Sequence, residues 1–512
     1  MPVRLGSVMW KQRFQLSAEG GISLQGRIRR MLVSAVLDGQ LPRDAPIPSS
    51  RELAEAIGVA RNTVVLAYQQ LADEGYLISR PRSGHFINPE MSGERLATET
   101  VGAPMGSLQP AWGPRFRFRP SLQRNIVKPA DWQKYPYPFI YGQFDPAMFP
   151  IPDWRECCMK ALSVLGIHDW ASDLIASDDA SLVEQIRTRV LPRRGVWAGA
   201  DEIIVTVGAQ QALYLLADLL MTEGTAVGIE DPGYPDARNI FAARTRALRP
   251  LRVDAFGLAL DDALGECDYV MVTPSHQCPT TVTMPLARRE ALLALAEEAD
   301  FVVIEDDFEA ENSFFANSNP ALKSLDRSDR VLYIGSLSKT FAPGLRLGYI
   351  VGPRELVREA RALRRLMIRH PSAFVQRSYA LFLALGHHDA LLRRLAQEYP
   401  ARAAALCRAV HAHLQDTQVV PVTGGASCWV SGPAWLDTRA LAGAAAERGI
   451  LIEPGDVFFM SDDPPRNHMR LGFSSIEADR IEPGIRALGE LMRDLSPRTA
   501  RGGVRTQPHR AG

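Results

Sequence analysis

Apolar residues recur at helical spacing at Leu24, Ile28, Met31, Leu32, Ala35 and Val36, and Gly39 closes the run. The pattern predicts a helix over residues 23–39. "PSSRELAEAIG" predicts a second, short helix, with Ser49 or Ser50 as cap, Glu52 supporting the first turn and Gly58 ending it. "ARNTVVLAYQQLADEG" reads as a third helix ending at Gly75, and "YLISR" and "HFIN" alternate around "PRSG" as a β-hairpin does. Three helices and a hairpin in this order make a winged helix-turn-helix over residues 1–90.

The period is then lost. "PEMSGERLATETVGAPMGSLQPAWGP" is rich in Gly, Pro, Ser and Thr, and residues 91–130 read as a linker. From 131 to 495, short β-rich runs alternate with amphipathic helical stretches. The runs are "EIIVTVG", "TAVGIED", "YVMVTPS", "FVVIEDD" and "VLYIGSLS". This alternation predicts an α/β domain on a mainly parallel sheet. The Arg/Gly/Pro-rich residues 496–512 read as a disordered tail.

Composition narrows the function classes. The formal net charge is zero, so attraction to nucleic acid must come from a local surface. Residues 1–90 carry 11 Lys and Arg against 8 Asp and Glu, which places the modest basic excess at the winged-helix end. The six cysteines are scattered without a CxxC pair, arguing against a structural zinc site or a disulfide framework. No signal-peptide core and no apolar run long enough for a membrane span is present, so a cytoplasmic protein is expected.

Two sets of residues carry chemistry. A recognition helix offers its first turn to the major groove. Here that turn holds Arg61, Asn62 and Thr63, with Arg51 at the start of the preceding helix and Arg82 and Gly84 at the wing tip. The second set suits pyridoxal phosphate, which needs a lysine for its aldehyde, a carboxylate for its pyridine nitrogen and donors for its phosphate. Lys339 in "SLSKTFAPGLRLGY" meets the first need by forming the Schiff base, and Asp306, at the end of an apolar strand, meets the second. Ser336, Ser338 and Arg346, with the helix start at Gly208, Ala209 and Gln210, meet the third. Tyr234 in "EDPGYP" can stack on the ring. No metal is called for.

"PIPSSRELAEAIGVARNTVVLAYQQLADEGYLISRPRSGHFI" resembles the winged-helix domain of the GntR family. "SHQCPT", "EDDFEAE", "SLSKTFAPGLRLGY" and "MRLGF" are similar to the MocR/GabR subfamily, which joins such a domain to a fold type I aminotransferase-like domain. The resemblance implies a transcription regulator that binds operator DNA, forms a homodimer and senses an amine or amino acid as an external aldimine with pyridoxal phosphate. It also implies that Arg470 clamps the effector's carboxylate. The alternative is a working aminotransferase with an accessory DNA-binding module. Phe308, in place of a tyrosine, and Cys278 and Thr281, in place of an aromatic and a glycine, depart from the family pattern and point away from efficient transamination.

Overall fold

A computed structural model describes residues 22–38, 40–41, 45–81, 83–90, 111–309, 311, 314 and 319–497. The chain divides into two units, Met1–Arg115 and Phe116–Gly512. Arg82 and the tail beyond Pro497 lie outside the described residues.

The first unit contains α1 (Leu24–Leu37), α2 (Ser50–Ile57) and α3 (Arg61–Asp73), followed by β1 (Leu77–Arg80) and β2 (Gly84–Ile87). Ser49, not Ser50, caps α2: its hydroxyl accepts from the Glu52 amide, and the Glu52 carboxylate accepts from the Ser49 amide. Gly58 ends that helix with φ +70°, a left-handed conformation that favours glycine. Strands β1 and β2 are antiparallel, with Leu77 opposite Ile87 and Arg80 opposite Gly84. Ile28, Leu32, Leu53, Val64, Tyr68 and Leu71 form the core, so each helix buries one stripe. The Tyr68 hydroxyl donates to the Pro48 carbonyl at 2.7 Å, which satisfies the polar end of an otherwise apolar filler.

The second unit is built on an eight-stranded sheet. Its strands are β3 (Ile203–Thr206), β4 (Val227–Asp231), β5 (Leu248–Asp254), β6 (Gly257–Leu258), β7 (Tyr269–Val272), β8 (Val302–Asp307), β9 (Val331–Ser336) and β10 (Gly348–Val351). Their order is β3-β10-β9-β8-β7-β4-β5-β6. Neighbours from β9 through to β5 are parallel, whereas β10 runs antiparallel to both β9 and β3. All five expected β-rich runs are strands of this sheet. Strand β5, "LRPLRVD", was not among them because Arg and Pro interrupt its apolar pattern.

Helices cover both faces, and strands β3, β7, β8, β9 and β10 between them are largely buried apolar runs. A smaller sheet follows, formed by β11 (Gln418–Val419), β12 (Ser427–Ser431), β13 (Glu453–Pro454) and β14 (His468–Gly472), in the order β11-β12-β14-β13. Of the segment expected to link the units, Gln123 to Lys128 bond within the second unit. Gln123 donates to the Asn239 carbonyl, and Arg124 donates to the carbonyls of Phe459, Met460 and Ser461. Among the described residues no helix is long and apolar enough to cross a membrane, and no cluster of three or more His, Cys, Asp or Glu could hold a metal ion.

Candidate functional site

Parallel strands leave their carboxyl ends on one edge of a sheet, and the candidate residues collect there. Strand β8 shows how its sequence selects one acid from "EDD". Side chains alternate along a strand, so Glu305 and Asp307 share a face and Asp306 points to the other. Glu305 accepts from the Leu322 and Lys323 amides, while Asp307 pairs with Arg194 at 2.9 Å and accepts from the Tyr333 hydroxyl. Glu305 is spent on structure, as is Oδ2 of Asp307, whose Oδ1 has no hydrogen-bond partner among the described residues but does not face the cavity. Asp306 is 3% exposed, and its Oδ1 has no hydrogen-bond partner among the described residues. Burial, reinforced by Asp307 and opposed by Lys339, pushes its carboxyl up to about 7.

Asp306, Lys339, Ala209, Tyr234 and Arg470 line one cavity of about 270 Å³. Lys339 is half-buried there, with its Nζ 4.7 Å from the centre of the Tyr141 ring. Burial draws its ammonium below the usual lysine range; nearby Glu309 opposes the shift, and Lys128 and Arg470 add to it. A lysine so placed gains access to its neutral, nucleophilic form. Gly142, with φ +74°, lies against it, and a Cβ there would come within 3.3 Å of the Lys339 Nζ. Tyr234 donates its hydroxyl to Asp236 at 3.0 Å.

Beside this cavity lies the turn that opens α4 (Gly208–Leu220), whose first amides have no partner within the helix. Gly208 has φ +73°, and a Cβ on it would meet the Arg346 guanidinium at 3.2 Å. Arg346 donates from Nη2 to the Val207 carbonyl at 3.3 Å, so the guanidinium stays at this turn. A Cβ on Gly348 would approach the Ala209 nitrogen to 2.9 Å; only glycine lets β10 lie this close to the helix start. Gln210 is exposed, and Ser336 ends β9 opposite Gly348. Ser338 is buried and already engaged: its hydroxyl donates to the Leu347 carbonyl at 3.0 Å and accepts from the Leu347 amide at 2.7 Å.

Arg470 sits in β14 with Glu453 of β13 as its cross-strand partner. Its Nε donates to Glu453 at 2.7 Å, and its guanidinium stacks between the rings of Tyr141 and Phe458, at 4.3 and 4.7 Å. Burial lowers the guanidinium's proton affinity, but Glu453 outweighs that and holds it above the usual value. Nη2 is buried without a hydrogen-bond partner among the described residues. The sequence did not mark Glu453, Tyr141, Lys128 or Asn125, which have no local motif and come from segments distant along the chain. Phe308 does line the cavity, edge-on to Tyr141 at 6.3 Å, and places no hydroxyl there. Thr281 takes φ +63°, the left-handed conformation for which the family pattern has glycine.

In the first unit Arg51, Arg61, Asn62 and Gly84 are exposed, and Thr63 is half-buried. Arg61 Nε reaches the Ser50 hydroxyl at 3.4 Å, which ties the start of α3 to that of α2.

The second unit has the fold of the aminotransferases. Residues 178–488 match the aminotransferase class I and II family, and residues 24–87 match the gntR family of bacterial regulatory proteins. Among solved structures, LysN, the α-aminoadipate aminotransferase of Thermus thermophilus, is 26% identical with a TM-score of 0.68, covering 75% of this chain and 99% of that one. The HTH-type transcriptional regulator TauR of Rhodobacter capsulatus is 40% identical over 94% of this chain and 99% of its own. The probable rhizopine catabolism regulatory protein MocR of Rhizobium meliloti is 31% identical over 92% and 94%. The chain belongs to the MocR/GabR subfamily of GntR-type transcription regulators. It is a DNA-binding regulator with an aminotransferase-like domain.

That membership implies pyridoxal phosphate, and the residues fit it. The unpartnered Asp306 Oδ1 suits a protonated ring nitrogen, the half-buried Lys339 on the cavity wall suits the aldehyde, and the Gly208 turn with Arg346 forms a cradle that a Cβ would fill.

Proposed function

We propose that this regulator senses a small amine or amino acid in the cavity of its second unit and answers by changing its hold on operator DNA. The carrying observation is that one cavity brings together the nucleophilic lysine, a carboxylate and an arginine whose Oδ1 and Nη2 have no partner among the described residues. When bound, pyridoxal phosphate supplies an aldehyde that condenses with primary amines. Lys339 holds that aldehyde when no effector is present, and Asp306 keeps the ring nitrogen protonated. Arg346 and the α4 amides hold the phosphate, Tyr234 supports the ring, and Arg470 receives the effector's acid group through its Nη edge.

The cavity also has a wall that leads back to the DNA-binding unit. Asn125, Ile126 and Lys128 line it and follow the segment that joins the two units. Occupancy that shifts this wall acts on the chain leading to the winged helix, which gives the two sites a covalent route for coupling. Arg51, Arg61, Asn62, Thr63 and the wing at Arg82 and Gly84 serve as the operator contacts in this reading. Dimerisation belongs to it as well. Met159, Val164, Leu165 and Leu366 stand at least 63% exposed on helices Ile151–Ala161, Val164–Trp170 and Arg354–Ile368, an apolar set suited to a second copy.

The test is a titration of the cofactor-loaded full chain with primary amines and amino acids, following cofactor absorbance and operator binding together. Sensing requires both to change at the same effector concentration, without catalytic release of keto acid. Sustained keto-acid turnover with no effect on operator binding would establish the working aminotransferase in its place.

A further inference from the structure

Glu453 carries one negative charge and contacts two cations. Its Oε2 holds Arg470 Nε at 2.7 Å, and its Oε1 lies 3.2 Å from Lys128 Nζ. The second contact is an ion pair. The directed bond of Lys128 goes to the Tyr141 carbonyl. The triad taken alone therefore carries one net positive charge, and both of its cations line the cavity, together with the acids Asp236 and Asp306. Arg470 gives its Nε to Glu453 and its Nη1 to the Cys278 sulfur, and keeps Nη2 buried and without a partner among the described residues. An ammonium has three donors; the Tyr141 carbonyl and Glu453 engage two of those on Lys128, which leaves one.

We propose that Lys128 is a second cationic contact for the effector's acid group, acting beside Arg470 across the shared carboxylate of Glu453. The proposal rests on the sensing reading above. Glu453 sets the spacing: it holds both cations on one carboxylate at the cavity wall, within reach of one anion bound there. Arg470 alone would accept any planar acid. Adding a flexible ammonium suits a compact group with three oxygens as well as a carboxylate. Lys128 thus widens the acids this pocket takes and sets it against amines that lack one. It also places an effector contact on the segment that leads to the DNA-binding unit.

The test uses the cofactor-loaded full chain with three probes: 3-aminopropanoate, 2-aminoethanesulfonate and propylamine. Half-saturation is read from cofactor absorbance and, separately, from binding heat. Lys128→Met should raise the half-saturating concentration of both acids by about tenfold or more, as expected for losing one hydrogen bond to a charged group. Because the Lys128 charge also acts on Lys339, propylamine serves as the reference: its half-saturation should shift much less than that of the acids, and Lys128→Arg should restore much of the acid binding. Equal loss for all three probes would reduce Lys128 to a wall residue and overturn the proposal, as would undiminished acid binding. A wild-type protein that answers none of the probes would overturn the sensing reading itself, and this inference with it. A wild type that responds while Lys128→Met binds the acids normally would sink the inference alone.

Discussion

The two units place their functional residues in opposite ways. In the winged helix, Arg51, Arg61 and Asn62 lie within a dozen residues of one another and stand exposed on α2 and α3. In the second unit, Asp306, Lys339 and Arg470 come from three distant strands or strand ends, the acid and the arginine buried and the lysine half-buried. A surface that meets a polyanion needs only charges held out to solvent by a rigid frame. A pocket that handles one small molecule must strip water from its groups, shift their proton affinities and aim them inward. Local sequence can supply the first arrangement. The second needs the whole domain.

The largest effect that can break this contrast is at Lys339. Lys339→Ala should abolish borohydride-fixed cofactor, read by mass spectrometry, yet leave operator binding in the absence of effector intact. A mutant that still fixes cofactor would move the aldehyde site elsewhere. Next comes Arg470→Ala, which removes the partner of a buried acid and should cost on the order of 3–5 kcal/mol of effector binding, seen as a lost response at concentrations that saturate the wild type. If the response survives unchanged, Arg470 serves only to anchor Glu453.

The pH dependence of stability sharpens the same contrast. Burial pushes Asp306 and Glu230 up to about 7. Their folded values lie above the unfolded ones, so the native state binds protons that the unfolded chain releases, and stability falls as pH rises from about 4 to about 7. The cofactor-free second unit should show this fall in thermal melts, and Asp306→Asn should remove part of it. A flat profile would contradict the burial argument.

Smaller effects are expected at the DNA surface. Arg61→Ala and Arg51→Ala should each weaken operator binding and make its salt dependence shallower by about one unit, with cofactor absorbance unchanged. An unaltered salt slope would remove that arginine from the phosphate contacts. The smallest change is at Thr281, a β-branched residue at φ +63°. Thr281→Gly relieves the strain but loosens the unfolded chain, for a net gain of about 0.5–1 kcal/mol in chemical denaturation. A destabilised variant would mean that the buried threonine's packing outweighs its backbone strain.

Much of this protein was legible along the chain. Helical periods, the Ser49–Glu52 capping pair, the Gly58 stop and five apolar runs specify elements through interactions a few residues long, and each element formed where its pattern lies. Lys339, Asp306 and the Gly208 turn could be singled out because each sits at a strand end that carries its own local signal. What no local pattern carries is which distant groups share a charge. Of three successive acids, strand alternation and the Arg194 pair left only Asp306 facing the cavity. Cross-strand pairing put Glu453 on Arg470, and the packing of Gln123–Lys128 onto this unit brought Lys128 to the same carboxylate. Periodicity is a property of neighbours in sequence, whereas burial and charge balance belong to neighbours in space, and only the closed tertiary structure decides those.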